Sequence, residues 1–337
     1  VEKMKVIQVG IGGMGHVWLQ TVLASQDVEA VGFVEVNPAI AAGMAEHYGL
    51  NPAVIFASLD EALTQIEADA VIDITPPQFH QQVLLTAMDA GLPVLSEKPL
   101  AHTLDAAQAI VQKSTETGVL HMVAQDYRYS PPIQTLKHVL QSKLLGEIGA
   151  VNVEFYKGPH FGGFRDEMPY PLIIDMSIHH FDLMRYLIGS DPLSVYGRSW
   201  NPSWSWFKGD ASASVVVDFE NGVTASYNGS WCSPGQETSW NGNWRFDCEQ
   251  GVVMLRDDQV YLQRWIGQED FNNLYSEIEP VALLELPRVG QAYLLHEFAN
   301  AVVSGSTPTT TCQDNIRSLG IVFGAVESFK SSQPQKL

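Results

Sequence analysis

The chain is short of cysteine, short of positive charge and free of any long apolar run, and each shortage removes a class of protein. Three cysteines, Cys232, Cys248 and Cys312, stand in 337 residues, and none forms a Cys-x-x-Cys pair. A disulfide-framed fold and a cysteine zinc site are therefore excluded, and an odd set of isolated thiols points to a reducing, cytoplasmic setting. Lysine and arginine number 19 against 38 aspartates and glutamates, a formal net charge of −19. That field repels nucleic acid and anionic membrane surfaces, so neither is an expected partner, and a neutral ligand is easier to accommodate than a polyanion. Residues 6–26 hold no charged side chain and follow Lys3 and Lys5, the outline of a signal peptide or anchor. Gly10, Gly12, Gly13, Gly15 and three glutamines break that stretch, so it has no continuous apolar core and a soluble protein is expected.

What is present is an ordinary globular composition, 45% hydrophobic and 17% charged. The chain is longer than the roughly 250–300 residues at which single cores stop growing, so two domains are expected, residues 1–125 and 126–337. In the first part, short apolar runs (6–9, 30–35, 53–56, 70–74, 93–96, 120–124) alternate with helical patterns, and Ser58 with Glu61 makes a capping box. This alternation predicts an α/β domain with a doubly wound parallel sheet. Beyond Gly146–Gly149 strands follow one another directly (150–156, 194–200, 213–219, 223–230, 243–248, 252–256, 260–265). They predict an α+β domain with an open, mainly antiparallel sheet. One helix over 172–188 interrupts the strands and two more, 289–304 and 314–328, close the chain. Either of these could pack back on the first domain, and the last few residues read as disordered.

Gly10-Ile11-Gly12-Gly13-Met14-Gly15 is a G-x-G-x-x-G run between a strand and a helix. Glycine there permits a tight turn, close approach of a pyrophosphate and close helix packing, with phosphate on the helix N-terminus. Glu35 closes the second strand, where a carboxylate accepts bonds from ribose hydroxyls and repels a 2′-phosphate, so NAD is expected over NADP. Thr75-Pro76-Pro77-Gln78-Phe79-His80 and Glu97-Lys98-Pro99 follow later strands, at the sheet edge where such folds bind ligands. Lys98 could stabilise negative charge on a substrate oxygen, or be a solvated loop lysine. Asp175, His179 and Asp182 stand at i, i+4 and i+7, one face of a helix. An aspartate one turn from a histidine orients the ring and raises its basicity, which suits a general base. The rival readings are half of a metal site, which lacks a third ligand and makes a metal unexpected, and a structural histidine.

Taken together, the glycine run, Thr75-Pro76-Pro77…His80, Glu97-Lys98-Pro99 and Asp175…His179-x-x-Asp182 resemble the Gfo/Idh/MocA family of oxidoreductases over almost the whole chain. The resemblance implies a Rossmann domain, a C-terminal open sheet often used for homodimers or homotetramers, and a sugar, anhydrosugar, inositol or related polyol as substrate. It makes Lys98, Asp175 and His179 the catalytic set. His179 would be the acid/base, Asp175 its support, and Lys98 the group positioning the hydroxyl. The candidate cofactor contacts are Gly10, Gly12, Gly13, Met14, Gly15, Glu35, Thr75, Pro76, His80, Glu97, Lys98 and Gln125. The Lys98–Pro99 bond is a candidate for the cis form. Two positions depart from the family's pattern, Ser177 where many members have glycine and Glu35 where many have aspartate.

Trp200, Trp204, Trp206, Trp231, Trp240 and Trp244 crowd the second half. They could stack on pyranose faces or be buried against another subunit. Tyr127, His160, Arg165, Tyr170 and Trp206 are the candidate substrate contacts. Two other functions stay open: an enzyme that retains NAD while it cleaves or exchanges sugars without net NADH, and a non-catalytic nucleotide-binding regulator.

Overall fold

The computed structural model describes residues 3–337. The chain divides into two compact units, one running to Asp126 and taking in Arg288–Ile316, the other formed by Tyr127–Pro287 and Arg317–Leu337.

In the first unit, strands β1 (Met4–Val9), β2 (Val28–Val34), β3 (Ile55–Phe56), β4 (Ala70–Asp73), β5 (Val94–Ser96) and β6 (His121–Val123) alternate with helices α1 (Met14–Ala24), α2 (Pro38–Tyr48), α3 (Leu59–Gln65), α4 (Pro77–Asp89) and α5 (Leu104–Thr117). All six strands are parallel, in the order β3-β2-β1-β4-β5-β6. This is the expected doubly wound sheet, with its order reversing between β1 and β4. Every residue of β4, β5 and β6 is buried, the mark of a sheet covered on both faces. The helix starts follow local chemistry. Asn37, Ser58 and Thr103 each accept a bond from a first-turn N–H of α2, α3 and α5, each contact contributing about 1 kcal/mol. The Ser58/Glu61 box forms, with the Glu61 carboxylate reaching back to the N–H of Ala57.

The second unit opens with helix α6 (Pro131–Gln141) and strand β7 (Ile148–Tyr156), then a short helix α7 (Phe164–Glu167) and helix α8 (Ser177–Ile188). Strands β8 (Pro192–Trp200), β9 (Ser212–Phe219), β10 (Thr224–Ser230), β11 (Asn243–Cys248), β12 (Gly251–Arg256), β13 (Gln259–Glu269), β14 (Asn272–Tyr275), β15 (Glu279–Pro280) and β16 (Gln335–Lys336) follow. They form one ten-stranded sheet with β7, in the order β14-β13-β12-β11-β7-β10-β9-β8-β16, β15 pairing with β13. Only the β7–β10 pairing is parallel. Burial alternates along β7, β9 and β10, so one face is packed and the other solvated. Of the residues of α8, all but Tyr186 are buried, and Phe181 and His180 lie against Tyr227 of β10. The chain end, expected to be disordered, instead adds β16 to the edge of the sheet, with the Leu337 N–H donating to the Leu193 carbonyl.

Two further helices, α9 (Gly290–Ser304) and α10 (Cys312–Ser331), precede β16. Residues of α9 belong to the first unit, where Gln291 meets Thr21 of α1. No helix among the described residues is long and apolar enough to cross a membrane.

One buried ion pair ties the second unit together. Arg128 Nε and Nη2 donate to the two oxygens of Asp182 at 2.6 and 2.7 Å, with Arg128 4% and Asp182 1% exposed. Ser318 adds a third donor to Asp182 at 2.8 Å and itself accepts from Arg185. Removing one partner of such a pair leaves a buried charge uncompensated, at about 3–5 kcal/mol. Asp182→Ala is therefore expected to lose about that much stability in a urea titration. The double change Arg128→Met with Asp182→Leu should lose clearly less. A loss under about 1 kcal/mol for Asp182→Ala, the range of an exposed pair, would show that the contact does not hold the unit.

Candidate active site

In the first unit, the candidate residues collect where β1, β2, β4 and β5 end. Glycine is required at two points of the first loop. A Cβ on Gly10 (φ +84°) would lie 2.8 Å from the Ile74 carbonyl oxygen, and one on Gly15 2.3 Å from that of Gly10. The buried Gln8 shapes the same turn, its amide donating to the carbonyls of Gly10 (3.0 Å) and Gly15 (2.8 Å). No heavy atom lies within 4 Å of where a Gly13 Cβ would stand, and α1 starts there, at the exposed Met14, without a side-chain cap. Glu35 borders the loop: one carboxylate oxygen accepts from Ile11 N–H, the other from Asn37 N–H. An open helix N-terminus beside a strand-end carboxylate fits a dinucleotide, pyrophosphate on the N–H groups and ribose on Glu35.

The two other loops are fixed from below. The Asp73 carboxylate at the end of β4 accepts from Thr75 N–H (3.0 Å) and Thr75 Oγ1 (2.7 Å). Pro76 caps α4 and is exposed. His80 is fully buried, with Nδ1 3.0 Å from the Pro99 carbonyl oxygen and Nε2 2.9 Å from that of Thr75. Glu97 accepts from the Trp18 indole (2.7 Å) and from Lys98 N–H (2.8 Å), so the backbone carrying the half-buried Lys98 is pinned. The Lys98–Pro99 bond is cis. Gln125, 1% exposed, has both amide atoms buried without a hydrogen bond among the described residues. Buried amides are almost always paired, so this one fits a group that meets a ligand.

In the second unit the helix expected over 172–188 forms, but its first turn is not α-helical. Leu172–Met176 winds as a π turn, with Ser177 N–H reaching the Leu172 carbonyl, before α8 begins. Asp175 lies inside this π turn, His179 and Asp182 in the α-helical part that follows. Such turns recur at functional sites. Asp175 pairs with Arg165 Nε at 2.5 Å, and the Arg165 guanidinium lies over the rings of Phe161 and Phe164. His179 is 6% exposed and stacks on Tyr127, ring centroids 4.1 Å apart and 14° from parallel. Tyr127 precedes Arg128 and His179 stands three residues before Asp182, so the buried ion pair ties together the two segments whose rings stack.

The adjacent His180 is a different residue chemically. Its Nε2 donates to the Trp240 carbonyl and its Nδ1 faces Tyr227 Oη, which accepts from Ser177. Burial pushes its pKa down to about 4, so it is neutral and structural. Ser177, where glycine was the commoner choice, thus contributes a hydrogen bond.

His160 stacks on Trp206 (3.7 Å), and Trp206, Phe207, Trp231, Phe161 and Trp240 continue as ring contacts. The ring of Tyr170 meets that of Phe329. The tryptophan excess divides: Trp231 and Trp244 are core, whereas Trp200, Trp204, Trp240 and Trp265 are exposed. Sequence reasoning missed Gln8, Asp73, Trp18 and Arg128. Gln8 and Asp73 had a signal, as polar residues inside otherwise apolar buried strands; Trp18 and Arg128 had none.

Residues 4–125 match a family described as an oxidoreductase family with an NAD-binding Rossmann fold, and residues 133–261 match the GFO/IDH/MocA C-terminal domain. Among similar proteins, inositol 2-dehydrogenase 1 of Paenarthrobacter aurescens is 31% identical, the alignment covering 100% of this chain and 96% of that protein. The scyllo-inositol 2-dehydrogenase (NAD(+)) of Bacillus subtilis is 28% identical over 82% of this chain and 80% of its own. A solved oxidoreductase from Agrobacterium radiobacter, in complex with NAD+, L-tartaric acid and magnesium, has the same fold, with a TM-score of 0.86 at 21% identity over 99% of this chain and 98% of that one. The matches to both domains and the full-length relative carry one conclusion: the chain belongs to the GFO/IDH/MocA family of oxidoreductases with an NAD-binding Rossmann domain.

Proposed function

We propose that the protein is a dehydrogenase that uses NAD rather than NADP and acts on a CH–OH group of a neutral sugar, anhydrosugar, inositol or related polyol. The observation that carries this reading is the pinned Lys98 loop beside an intact dinucleotide cradle, at the strand ends of one sheet. The glycine run with Met14 would hold the pyrophosphate, Glu35 the ribose, and Thr75, Pro76, Glu97 and Gln125 the rest of the cofactor. Bound nicotinamide supplies the hydride acceptor or donor that side chains lack.

The residues of this chain handle the proton and the charge. His179 takes the hydroxyl proton on an imidazole nitrogen and returns it in the reverse direction. Tyr127 covers one face of that ring and keeps water from it. Asp175, held by Arg165, supports the protonated ring, and Lys98 stabilises negative charge developing on the substrate oxygen. A polyol fits the aromatic cluster of His160, Trp206, Phe161 and Trp240, whose ring faces suit the C–H faces of a pyranose or cyclitol. The similarity to inositol dehydrogenases supports the same class.

The test is NADH formation followed at 340 nm across sugars, anhydrosugars, inositols and sugar acids, with NAD and with NADP. Turnover of a neutral polyol with NAD is expected. NAD that stays bound through purification, with no NADH released on any substrate, would replace this reading by the retained-cofactor one.

Lys98→Ala and His179→Ala are each expected to lower kcat by about 10²–10⁴-fold. NAD should still titrate into both variants by calorimetry with a Kd within about threefold of the parent. Undiminished kcat in either variant removes that residue from the chemistry. Glu35→Gln keeps the shape and removes the charge; the preference for NAD over NADP should narrow by about tenfold in kcat/KM. An unchanged ratio would mean that Glu35 does not select the cofactor.

A further inference from the structure

A buried histidine between the Thr75 and Lys98 loops has an unusual pair of partners. His80 has no exposed surface, and both of its ring nitrogens face backbone carbonyl oxygens, Nδ1 that of Pro99 at 3.0 Å and Nε2 that of Thr75 at 2.9 Å. A carbonyl oxygen only accepts, whereas a neutral imidazole has one N–H and one bare lone pair. Either neutral tautomer would therefore press a lone pair against a carbonyl oxygen at hydrogen-bond distance in a dry site, which is costly where there is no water to intervene. Only the ring with two N–H groups satisfies both contacts.

We infer that His80 is held as an imidazolium and that this buried cation positions Lys98 rather than contacting the cofactor. A buried cation needs a counter-charge, and Asp73 supplies it. Asp73 is fully buried, its Oδ1 accepts two bonds from Thr75, and its Oδ2 makes no hydrogen bond among the described residues. A protonated carboxyl would leave an O–H at Oδ2 with no acceptor. Burial pushes the Asp73 carboxyl above the usual carboxylate range, and the His80 charge and the Thr75 donors pull against that. Another buried ring, His121 on β6, is bonded to Ser96 Oγ at 2.8 Å, and burial followed by the His80 charge pushes it down to about 3. The two rings thus carry one positive charge, not two. Glu97, the remaining carboxylate at this edge, is occupied by Trp18 and by Lys98 N–H.

The consequence falls on Lys98. Its backbone is fixed on the N-terminal side by Glu97, whose own N–H donates to the Asp73 carbonyl at 2.8 Å. It is fixed on the C-terminal side by the bond from His80 to Pro99. His80 bonds the Thr75 loop with its other nitrogen, so one ring locks two loops at the ends of adjacent strands. Losing either N–H frees one end of the clamp and lets the ammonium of Lys98 wander, which lowers turnover more than binding. This part of the inference rests on the proposed role of Lys98; the protonation of the ring does not.

Two measurements separate the parts. In the NAD-bound protein labelled with ¹⁵N-histidine, long-range N–H correlation at pH 7.5 should show a ring with both nitrogens protonated, and that signal should be missing from His80→Gln. A His80 ring with one bare nitrogen overturns the imidazolium. If His80→Gln does not fold, His80→Asn supplies the assignment, and the absence of any doubly protonated ring among the ten histidines of the parent overturns the imidazolium by itself. For positioning, His80→Gln should lower kcat about tenfold with the polyol KM changed less than about threefold. Added to Lys98→Ala, the same change should cost less than about twofold, because the group it positions is gone. Fully additive losses overturn the positioning role. Full turnover in Lys98→Ala alone overturns the proposed chemistry and the positioning with it, while the nitrogen spectrum still decides whether the ring is an imidazolium.

Discussion

The second unit depends on a charge pair that water does not reach. Arg128 and Asp182 meet through two parallel hydrogen bonds, a geometry that fixes orientation as well as distance. The pair joins a 3₁₀ turn, Asp126–Tyr129, to the middle of α8. Tyr127 lies one residue from one end of the pair and His179 one helical turn from the other. The pair thus ties together the two segments whose rings stack. The same Asp182 takes Ser318 from α10, and Arg185 carries the network on to Asp191. A hydrophobic replacement of similar volume could fill this space, but it would not set the rotation of α8 about its axis.

The first unit solves its positioning problem differently. A parallel sheet brings the ends of β1, β4 and β5 to one edge for reasons of backbone topology alone, and the loops beyond them need anchors. These are polar side chains set inside apolar strands. Gln8 holds both ends of the glycine turn, and Asp73 holds Thr75. Each is a buried polar group that would be expensive without partners. Gln8 Nε2 and Asp73 Oδ1 find theirs in the loop that each shapes, so the loop and the strand specify each other.

This explains which parts of the molecule could be read from sequence. The alternation of short apolar runs with amphipathic stretches pointed to the parallel sheet, and the adjacent strands to the antiparallel one, because both signals are periodicities of a few residues. The glycine run was legible for the same reason: a Cβ at Gly10 or Gly15 collides with its own neighbourhood. The π turn at 172–176 was not legible, since inserting one residue into a helix leaves no compositional trace. Helical counting gave no sign either that Asp175 pairs with Arg165, ten residues before it. The pairing of Arg128 with Asp182 spans 54 residues, and β16 joins β8 with Gln335 opposite Val195, 140 residues away. Contacts of that range depend on the completed fold, and no local pattern announces them.

Histidine makes the limit concrete. In sequence, His80, His121, His179 and His180 are four copies of one residue, and proximity to a motif is the only ground for ranking them. In the structure each is defined by what faces its nitrogens. His180 has a carbonyl on one side and a hydroxyl on the other, which suits one neutral tautomer and removes it from acid–base work. His121 faces a serine hydroxyl in a site too dry and too near a positive charge to take a proton. His80 faces two carbonyls and must donate to both. His179 alone of the four lies face to face with an aromatic ring and keeps some exposure, 6% against none for the other three. A proton acceptor in turnover has to exchange its proton with something that comes and goes, and this is the ground for proposing His179 among the four.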